Sequence, residues 1–521
     1  MPGEGGMLKH HGKSWGSMKD NNITRRDVIG CTAKVAGTFL SLAYLPAPDS
    51  SANADGLTLV NDIHSQLNPT RVNEVLKPQS TEQLARIVLS ASQQGRTLSL
   101  AGMRHAMGGQ QFGTDTDLID MTSCNKIISL DKHNGIIEVE GGTIWPSIID
   151  YCWSEQKDDP KPWSISQKQT GADALTLGGG LAANVHGRGL TMRPIIQDIE
   201  SFKLITPEGT EIECSRSSNP ELFGLAIGGY GLFGVISSIK LRLIPRTRLK
   251  RGVKVIDIDE LMPAFEERIN QGYMYGDFQY MTDSTSPDFL QKGVFSCYLP
   301  VDSNEKEPQG QHRELQIEDW KKLYRLAFTD KGEAYKAYSQ YYLSTNDQLY
   351  WSDTHQLSVY LGGDYYIKLN KELGFKDDAS LMISEIYVPR RDLTHFMKDA
   401  RDVALKESCD IIYGTIRLIK KDEESFLAWA KEDYACIIFN LRVFHTPDGI
   451  EKAKRDFRAL IDTALPYDGS YYLTYHRWAL KDQVLACYPQ FPEFLRVKQK
   501  YDPKDVIQSD WYRHYKAMFG Y

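Results

Sequence analysis

Two glycine-rich stretches constrain the fold of this chain more than any other feature of its sequence. Residues 99–112 read SLAGMRHAMGGQQF, and residues 169–190 read QTGADALTLGGGLAANVHGRGL. Consecutive backbone N–H groups around glycines can form a concave anion site, because no bulky side chain blocks the approach. Neither stretch is a Walker loop or a GxGxxG loop that opens a helix. Taken alone, each stretch predicts either an anion-binding loop or an ordinary turn.

The residues before the first stretch predict a strand, a helix and a second strand. Residues 71–78 (RVNEVLKP) are strand-like and end in proline. A helix is predicted to begin at Ser80 or Thr81 and to end at Gly95, because its apolar residues share one face. Residues 97–101 (TLSLA) then form a short strand that leads directly into the glycine-rich loop.

Two further segments follow the second stretch. Residues 198–214 (DIESFKLITPEGTEIEC) predict a hairpin with its turn at Pro207-Glu208-Gly209. Residues 219–245 (NPELFGLAIGGYGLFGVISSIKLRLIP) end in a half-buried strand, because apolar and basic residues alternate there. The N-terminal half therefore combines helices and strands with two glycine-rich loops in a fixed order.

These four segments, in this order and spacing, resemble the FAD domain of the vanillyl-alcohol oxidase/p-cresol methylhydroxylase family over residues 68–247. The resemblance implies an α+β fold with a two-subdomain FAD-binding domain over residues 55–247. It further implies an α+β cap domain with an antiparallel sheet over residues 248–470, which in the family covers the isoalloxazine ring and supplies most substrate contacts. Residues 471–521 are then expected to return to the FAD domain.

The sequence of the middle segment is consistent with such a cap. Strands are predicted over residues 381–389 (LMISEIYVP), 411–421 (IIYGTIRLIKK) and 434–445 (YACIIFNLRVFH). Helices are predicted over residues 391–408 and 449–465. Strands and helices in this alternation suggest an antiparallel sheet covered by helices.

The resemblance also implies FAD as the cofactor. In alditol oxidases, aldonolactone oxidases and cytokinin dehydrogenases, a histidine of the first loop is bonded to the flavin 8α methyl group, and His105 stands in that place. Ala106 follows it where those relatives usually have serine. The alternative is a non-covalent site in which His105 only hydrogen-bonds. The residues implied to contact FAD are Gly102, Met103, Arg104, His105, Ala106, Gly108, Gln110, Thr176, Gly178, Gly179, Ala182, His186, Gly187 and Ile236. Residues 165–187 contain no cysteine, so a second covalent flavin link is not expected.

The candidates for catalysis lie in the C-terminal half. Aldonolactone and alditol oxidases carry Glu-Ile-Arg where this chain has Thr415-Ile416-Arg417, and in them the arginine faces flavin and substrate. Thr415 is neither an acid nor a base near neutral pH, so the identity of the proton-accepting group stays open. The alternative is that residues 415–417 form an ordinary exposed strand without a role in catalysis. Residues 476–481 (HRWALK) loosely resemble a His-Trp-small-Lys element that reaches the flavin in the sugar-oxidase branch. The candidate catalytic residues are Arg417, Tyr475, His476 and Lys481.

The implied activity is transfer of a hydride from a CH–OH group of a small-molecule substrate to flavin N5. The substrate would be a sugar-like alcohol or an aldonolactone, and O2 or another acceptor would take the electrons. Two alternatives stay open: the same fold acting on an amine or an aromatic substrate, and a flavin-binding protein without turnover.

Residues 1–54 resemble a Tat export signal. Arg25-Arg26 precede a mildly apolar stretch at residues 35–45, and Ala52-Asn53-Ala54 would place cleavage before Asp55. The resemblance implies a periplasmic or extracellular protein, with a membrane-surface anchor or a disordered tail as the alternatives.

Composition excludes several other classes. The formal net charge of -7 gives no reason to expect a nucleic-acid partner. No segment in the body of the chain is apolar enough for a stable transmembrane span. The seven cysteines after residue 54 have no CxxC spacing, which argues against a zinc site and a disulfide scaffold. No His/Asp/Glu group has metal-ligand spacing, so no metal is expected.

Overall fold

The computed structural model describes residues 57–306 and 312–521, and the predicted export segment 1–54 lies outside them. Within these ranges, no helix is both long enough and apolar enough to cross a membrane. The described part opens with the antiparallel pair β1 (Thr58–Val60) and β2 (Thr70–Val72). A small parallel sheet follows, with β3 (Val75–Leu76), β5 (Asp117–Asp120) and β4 (Leu98–Ala101) side by side in that order. The strand predicted over residues 71–78 is thus divided between β2 and β3.

Helix α1 (Thr81–Gln94) connects β3 to β4, as the sequence predicts. Its N-terminus is capped because the Ser80 hydroxyl accepts a hydrogen bond from the Gln83 N–H at 3.2 Å. Its C-terminus ends at Gly95, whose φ of 66° lies in the left-handed region that favours glycine. The buried face of α1 packs on β4 and β5 in one apolar cluster.

An antiparallel sheet carries the rest of the N-terminal half. Its strands are β6 (Ile127–Asp131), β7 (Ile136–Glu140), β8 (Trp163–Ile165), β9 (Ile199–Ile205), β10 (Glu211–Ser215) and β11 (Val235–Pro245). The order is β10-β9-β11-β7-β6, and β8 pairs with β11. The helices of this region are α2 (Trp145–Glu155), α3 (Leu177–Ala182) and α4 (Pro220–Ala226). The predicted hairpin over residues 198–214 is confirmed by the antiparallel pairing of β9 and β10.

An eight-stranded antiparallel sheet occupies the segment predicted to be the cap. Its strands are β12 (Arg248–Asp257), β13 (Tyr275–Tyr280), β14 (Lys292–Val301), β15 (Leu349–Trp351), β16 (Ala379–Pro389), β17 (Ile411–Ile419), β18 (Tyr434–Phe444) and β19 (Ser470–Tyr471). The order is β15-β12-β14-β13-β17-β18-β16-β19. The strands predicted over residues 381–389, 411–421 and 434–445 are therefore confirmed, and so is the α+β class.

Helices accompany this sheet between its strands. They are α5 (Ile258–Asn270), α6 (Ile317–Thr329), α7 (Lys331–Leu343), α8 (Gly363–Glu372), α9 (Leu393–Lys406) and α10 (Pro447–Ala464). Helices α9 and α10 confirm the helices predicted over residues 391–408 and 449–465. The chain passes from one sheet to the other between Pro245 and Arg248.

The C-terminal segment packs against the small parallel sheet of β3, β5 and β4. It contains α11 (Lys481–Cys487), α12 (Phe491–Tyr501) and α13 (Asp510–Phe519). Two residues of the segment between α12 and α13 pair with Leu98 of β4. The Val506 carbonyl accepts a hydrogen bond from the Leu98 N–H at 2.7 Å, and the Gln508 N–H donates to the Leu98 carbonyl at 2.8 Å. The end of the chain therefore holds the strand that leads into the first glycine-rich loop.

Asp198 makes the stability of this fold depend on pH. The carboxyl group is buried and accepts a hydrogen bond from Gln167 Nε2 at 2.9 Å, yet burial raises the pKa of Asp198 from 3.8 to about 7. The folded state therefore holds a proton that the unfolded state has lost, and the free energy of unfolding falls as pH rises between these two values. Asp198→Asn should be more stable than the parent by roughly 2–4 kcal/mol above pH 7.

This expectation is checked by urea unfolding of both proteins between about pH 5 and about pH 8. The advantage of the variant should grow across that window. A difference that stays constant with pH would contradict the assignment of the effect to Asp198.

Candidate active site

A cavity of about 250 Å³ lies between the glycine-rich loops and one face of the eight-stranded sheet. Residues from 100–111 and 169–186 line it on the loop side, and residues of β16, β17 and β18 line it on the sheet side. Two parts of the sequence that are far apart in the chain thus line one cavity.

The cavity brings together most of the residues that the sequence predicts to be functional. Those that line it are Gly102, Met103, Arg104, His105, Ala106, Gln110, Thr176, Gly178, Gly179, Ala182, His186, Ile236, Arg417 and Tyr475. Four others do not line it: Gly108, Gly187, His476 and Lys481. The N–H groups of Gly108 and Gly187 are used within the protein, since they donate to Gln110 Oε1 and Gln167 Oε1 at 3.0 and 3.2 Å.

Two of the four candidate catalytic residues, His476 and Lys481, lie outside the cavity. Lys481 is the exposed first residue of α11, and its Nζ lies 5.2 Å from the centre of the Phe519 ring. His476 is buried, and its Nδ1 accepts a hydrogen bond from the Trp478 N–H at 3.3 Å. Burial, and then the charge of Arg458, lower the pKa of His476 well below its ordinary value. Neither side chain reaches the cavity, because α11 directs one to the surface and the core encloses the other.

Closely packed glycines form the loop side of the cavity. A Cβ atom at Gly102 would overlap the Thr176 hydroxyl, and one at Gly178 would lie 2.8 Å from the Gly141 carbonyl oxygen. Only glycine lets these backbone segments approach so closely. The result is a closely packed stretch of main chain beside the cavity, which we call the glycine cradle.

His105 is the most unusual residue of the loop side. Both of its ring nitrogens are buried and have no hydrogen-bond partner among the residues described. His64 and Tyr360 pack edge-on against its ring, with ring centres 5.0 and 5.3 Å away. Burial lowers the pKa of His105 well below its ordinary value, and the neighbouring His64 ring acts in the same direction, so the His105 ring is neutral and keeps a free lone pair. Because an unpaired buried ring costs free energy, the arrangement fits a bound group at this point.

Four other buried polar atoms of the cavity wall also have no partner in the described ranges. They are Gln111 Oε1, Thr170 Oγ1, Thr415 Oγ1 and Arg417 Nε. Folded proteins satisfy nearly all such atoms, so these four atoms are available to a ligand that enters the cavity. The atoms lie on both loops and on β17, which fits FAD along the loops and a second ligand against the sheet.

The sheet wall is built from three neighbouring strands in register. Glu385 on β16 pairs with Ile438 on β18, and Ile438 pairs with Thr415 on β17. Residues directly opposite each other in antiparallel strands share one face, so these side chains form a row facing the cavity. Arg417 lies in the next row and also faces the cavity.

Glu385 is a functional candidate that the sequence analysis missed. It is 1% exposed, and its Oε1 lies 2.6 Å from His186 Nε2. The other ring nitrogen, His186 Nδ1, lies 3.0 Å from the Gly187 carbonyl oxygen. A carbonyl can only accept, so Nδ1 carries a hydrogen and Nε2 is left to interact with the carboxyl group. The signal in the sequence was a single acidic residue within the apolar strand of residues 381–389.

Tyr475 lines the cavity, but it is poorly suited to accept a proton. Burial, and then the Glu385 carboxylate, raise the pKa of Tyr475 well above its ordinary value, although Arg417 acts in the opposite direction. The phenol therefore stays protonated near neutral pH and acts as a hydrogen-bond donor.

The sequence of this region matches known flavoproteins. Residues 72–215 match the family model of an FAD binding domain. The match confirms, over these residues, the FAD-binding domain that the family resemblance of the four segments implies.

Three relatives illustrate the range of similar proteins. Cytokinin dehydrogenase 2 of Arabidopsis thaliana is 28% identical over 242 residues, which cover 46% of this chain and 45% of the relative. L-galactono-1,4-lactone dehydrogenase 1, mitochondrial, of Oryza sativa subsp. japonica is 26% identical over 218 residues, covering 42% and 35%. L-gulono-1,4-lactone dehydrogenase of Mycobacterium tuberculosis (strain ATCC 25618 / H37Rv) is 21% identical over 447 residues, covering 84% and 95%. The match thus spans less than half the length of the first two relatives.

Proposed function

We propose that this chain, in which residues 72–215 form a p-cresol methylhydroxylase-type FAD-binding domain, is an FAD-dependent oxidoreductase acting on a small molecule. Its reaction would be the oxidation of a CH–OH group to a carbonyl. The observation that carries the proposal is that one cavity joins the unpartnered polar atoms of the FAD loops to those of β17. A binding protein for FAD alone does not need the second set of atoms.

FAD, when bound, would accept two electrons from the substrate carbon as a hydride. The glycine cradle would hold the pyrophosphate, and the neutral ring of His105 could bond covalently to the flavin. Arg417 would bring positive charge to the cavity and stabilise the negative charge that develops as the cofactor takes up electrons. O2 or another acceptor would then reoxidise the cofactor.

The sheet side of the cavity supports a hydroxylated substrate. Thr415 Oγ1 and Arg417 Nε are free to hydrogen-bond a ligand, and Tyr475 adds a phenol. A site that hydrogen-bonds a polar group of its substrate strongly prefers that substrate over an analogue that lacks the group. A sugar-like alcohol or an aldonolactone presents several hydroxyl groups that could satisfy these atoms.

A second candidate is the oxidation of an amine or an aromatic substrate. The cavity also presents Ile383, Tyr413 and Ile438 on the sheet side and Leu175 on the loop side, and these side chains would pack against a flat apolar ring. This alternative is supported by the cytokinin dehydrogenases among the relatives. We rank it second because apolar contacts leave the free atoms of Thr415 and Arg417 unsatisfied.

Anaerobic reduction of the bound flavin tests these proposals. The full chain would be loaded with FAD and mixed with L-gulono-1,4-lactone, L-galactono-1,4-lactone, a sugar alcohol or a cytokinin, and the flavin absorbance would be followed. Bleaching by a lactone or an alcohol is the expected result. Bleaching by the cytokinin alone would favour the second candidate, and flavin that no compound bleaches would indicate a binding protein without turnover.

Replacing Arg417 should impair turnover without emptying the site. Arg417→Gln removes the positive charge and several donors from the cavity wall, so we expect kcat/KM to fall by roughly 10²–10³-fold. The FAD content should stay that of the parent. Steady-state kinetics with the bleaching substrate provide the measurement.

Lys420→Gln is the matched control. It removes a positive charge just beyond the end of β17, where Lys420 forms an ion pair with Asp433 outside the cavity. Its kcat/KM should match that of the parent. Equal losses in both variants would argue against a role of Arg417 at the site.

We further propose that residues 1–54 direct export. Arg25-Arg26 before a mildly apolar stretch support this proposal. Fractionation of a bacterial host that expresses the full chain tests it. Flavin-loaded protein is expected in the periplasm, and retention in the cytoplasm would contradict the proposal.

A further inference from the structure

We infer that Glu385 accepts the hydroxyl proton of the substrate and that His186 positions its carboxyl group. The inference rests on the proposed function and names the base that this reaction needs. Its starting point is the row Glu385, Ile438 and Thr415 on the sheet face. Thr415 cannot supply a base, whereas Glu385 supplies a carboxylate two strands away on the same wall of the cavity.

The hydrogen bonds of the His186–Glu385 pair limit its proton states. Because His186 Nδ1 donates to the Gly187 carbonyl, the 2.6 Å contact between Nε2 and Glu385 Oε1 contains one proton. That proton lies either on the imidazole, opposite a carboxylate, or on the carboxyl group, opposite a neutral imidazole. In the first state, Glu385 is an ionised base whose charge the imidazolium compensates and whose second oxygen can accept a proton.

The other titratable groups around Glu385 are poorly suited to accept a proton. The charged and titratable side chains near it are His186, Tyr387, Arg417, Cys436, Tyr472 and Tyr475. Burial, and then the Glu385 carboxylate or neighbouring groups, raise the pKa of the three tyrosines and of Cys436 well above their ordinary values. These groups stay protonated, and Arg417 is a cation. His64 and His105 belong to the loop side of the cavity.

The reaction balances at this pair. The substrate C–H bond breaks and its electron pair leaves with the hydrogen as a hydride to FAD. The O–H bond breaks, its electrons form the carbonyl π bond, and its proton goes to Glu385. The substrate is oxidised by two electrons, FAD is reduced by two electrons, and the cavity gains no net charge.

Three variants of the full chain test the inference. Glu385→Gln keeps the shape of the side chain but cannot accept a proton, and Glu385→Asp keeps the carboxylate but withdraws it by one methylene group. Ser384→Ala is the matched control, because Ser384 is the buried neighbour on the opposite face of β16. FAD content and melting temperature of each variant establish that it is folded and loaded.

Two readouts separate a base from a merely structural residue. We follow anaerobic flavin reduction by the compound that bleaches the flavin of the parent protein. The rate should fall at least about 100-fold in Glu385→Gln and by less in Glu385→Asp. The rate of Ser384→Ala should match that of the parent. Infrared difference spectra on substrate addition should show the C=O stretch of a newly protonated carboxylic acid in the parent. That band should be missing in Glu385→Gln.

The outcomes distinguish the inference from the proposed function. A parent protein that no alcohol or lactone bleaches would overturn both. A bleached parent together with an equally fast Glu385→Gln, or a band that persists in this variant, would overturn the inference alone. If Glu385→Gln does not bind FAD, Glu385→Asp is measured in its place. A rate of flavin reduction in Glu385→Asp equal to that of the parent would then overturn the inference.

Discussion

His105→Ala is expected to abolish covalent attachment of the flavin completely. The substitution removes the only ring that we propose to bond to FAD, and no cysteine in residues 165–187 could provide another link. Denatured parent protein should show flavin fluorescence in its gel band, and denatured His105→Ala should show none. The variant is still expected to bind FAD, because the glycine cradle is unchanged.

His64→Ala is the matched control for this experiment. His64 is a buried, neutral histidine whose ring packs against that of His105, and burial lowers its pKa to about 4. Its removal should leave the fluorescent band in place. A dark band in the parent, with free FAD in the supernatant, would contradict covalent attachment, and a fluorescent band in His105→Ala would assign the link to another residue.

Asp502→Ala is expected to destabilise the fold by roughly 3–5 kcal/mol, because it breaks a buried ion pair. Lys498 Nζ lies 2.5 Å from Asp502 Oδ2, and the two side chains are 0% and 1% exposed. The carboxylate also accepts the N–H groups of Val506 and Ile507, each at 2.9 Å. The substitution leaves the buried Lys498 ammonium group with the Asp505 carboxylate, 3.8 Å away, as its remaining ion-pair partner, and it leaves two buried N–H groups without an acceptor. The free energy of unfolding in urea provides the measurement.

Two further variants serve as comparisons for the stability loss expected of Asp502→Ala. Lys500→Met removes an exposed pair with Glu221, in which the side chains are 63% and 53% exposed, and should change stability by less than about 1 kcal/mol. The double variant Lys498→Met, Asp502→Leu removes both charges. It should recover the part of the loss that comes from the ammonium group, but not the part that comes from the two N–H groups. A loss below about 1 kcal/mol in Asp502→Ala would contradict a structural role of the buried pair.

Local signals in the sequence were sufficient for α1 and for the hairpin of β9 and β10. Ser80 and Gly95 predicted the ends of α1 because capping and left-handed backbone depend on the residues at those positions alone. The hairpin at Pro207-Glu208-Gly209 followed from turn chemistry that is equally local. The two glycine-rich loops were recognisable for the same reason, since close backbone approach demands glycine.

The chemistry of the sheet wall could not be predicted in the same way. Glu385 and Thr415 become neighbours only through the register of β16, β18 and β17, which depends on pairings between distant segments. His476 and Lys481 were expected at the site from a loose motif, but the motif does not show that α11 begins at Lys481. Residue types therefore identified the kind of site, and the topology determined which side chains reach it.

The pairing of residues 506–510 with β4 and with the first glycine-rich loop has a consequence for the order in which the protein folds. The Asp510 N–H donates to the Phe112 carbonyl at 2.7 Å, and the Asp510 carboxylate accepts the Thr114 N–H at 2.9 Å. Together with the bonds of Leu98, these contacts fix both sides of the first glycine-rich loop from residues 506–510. Thr114 and Asp510 are 396 positions apart in the chain, so the loop takes up its supported position only when two distant segments have come together. Because closing so long a segment costs conformational entropy, we expect this loop to be among the last parts of the fold to form.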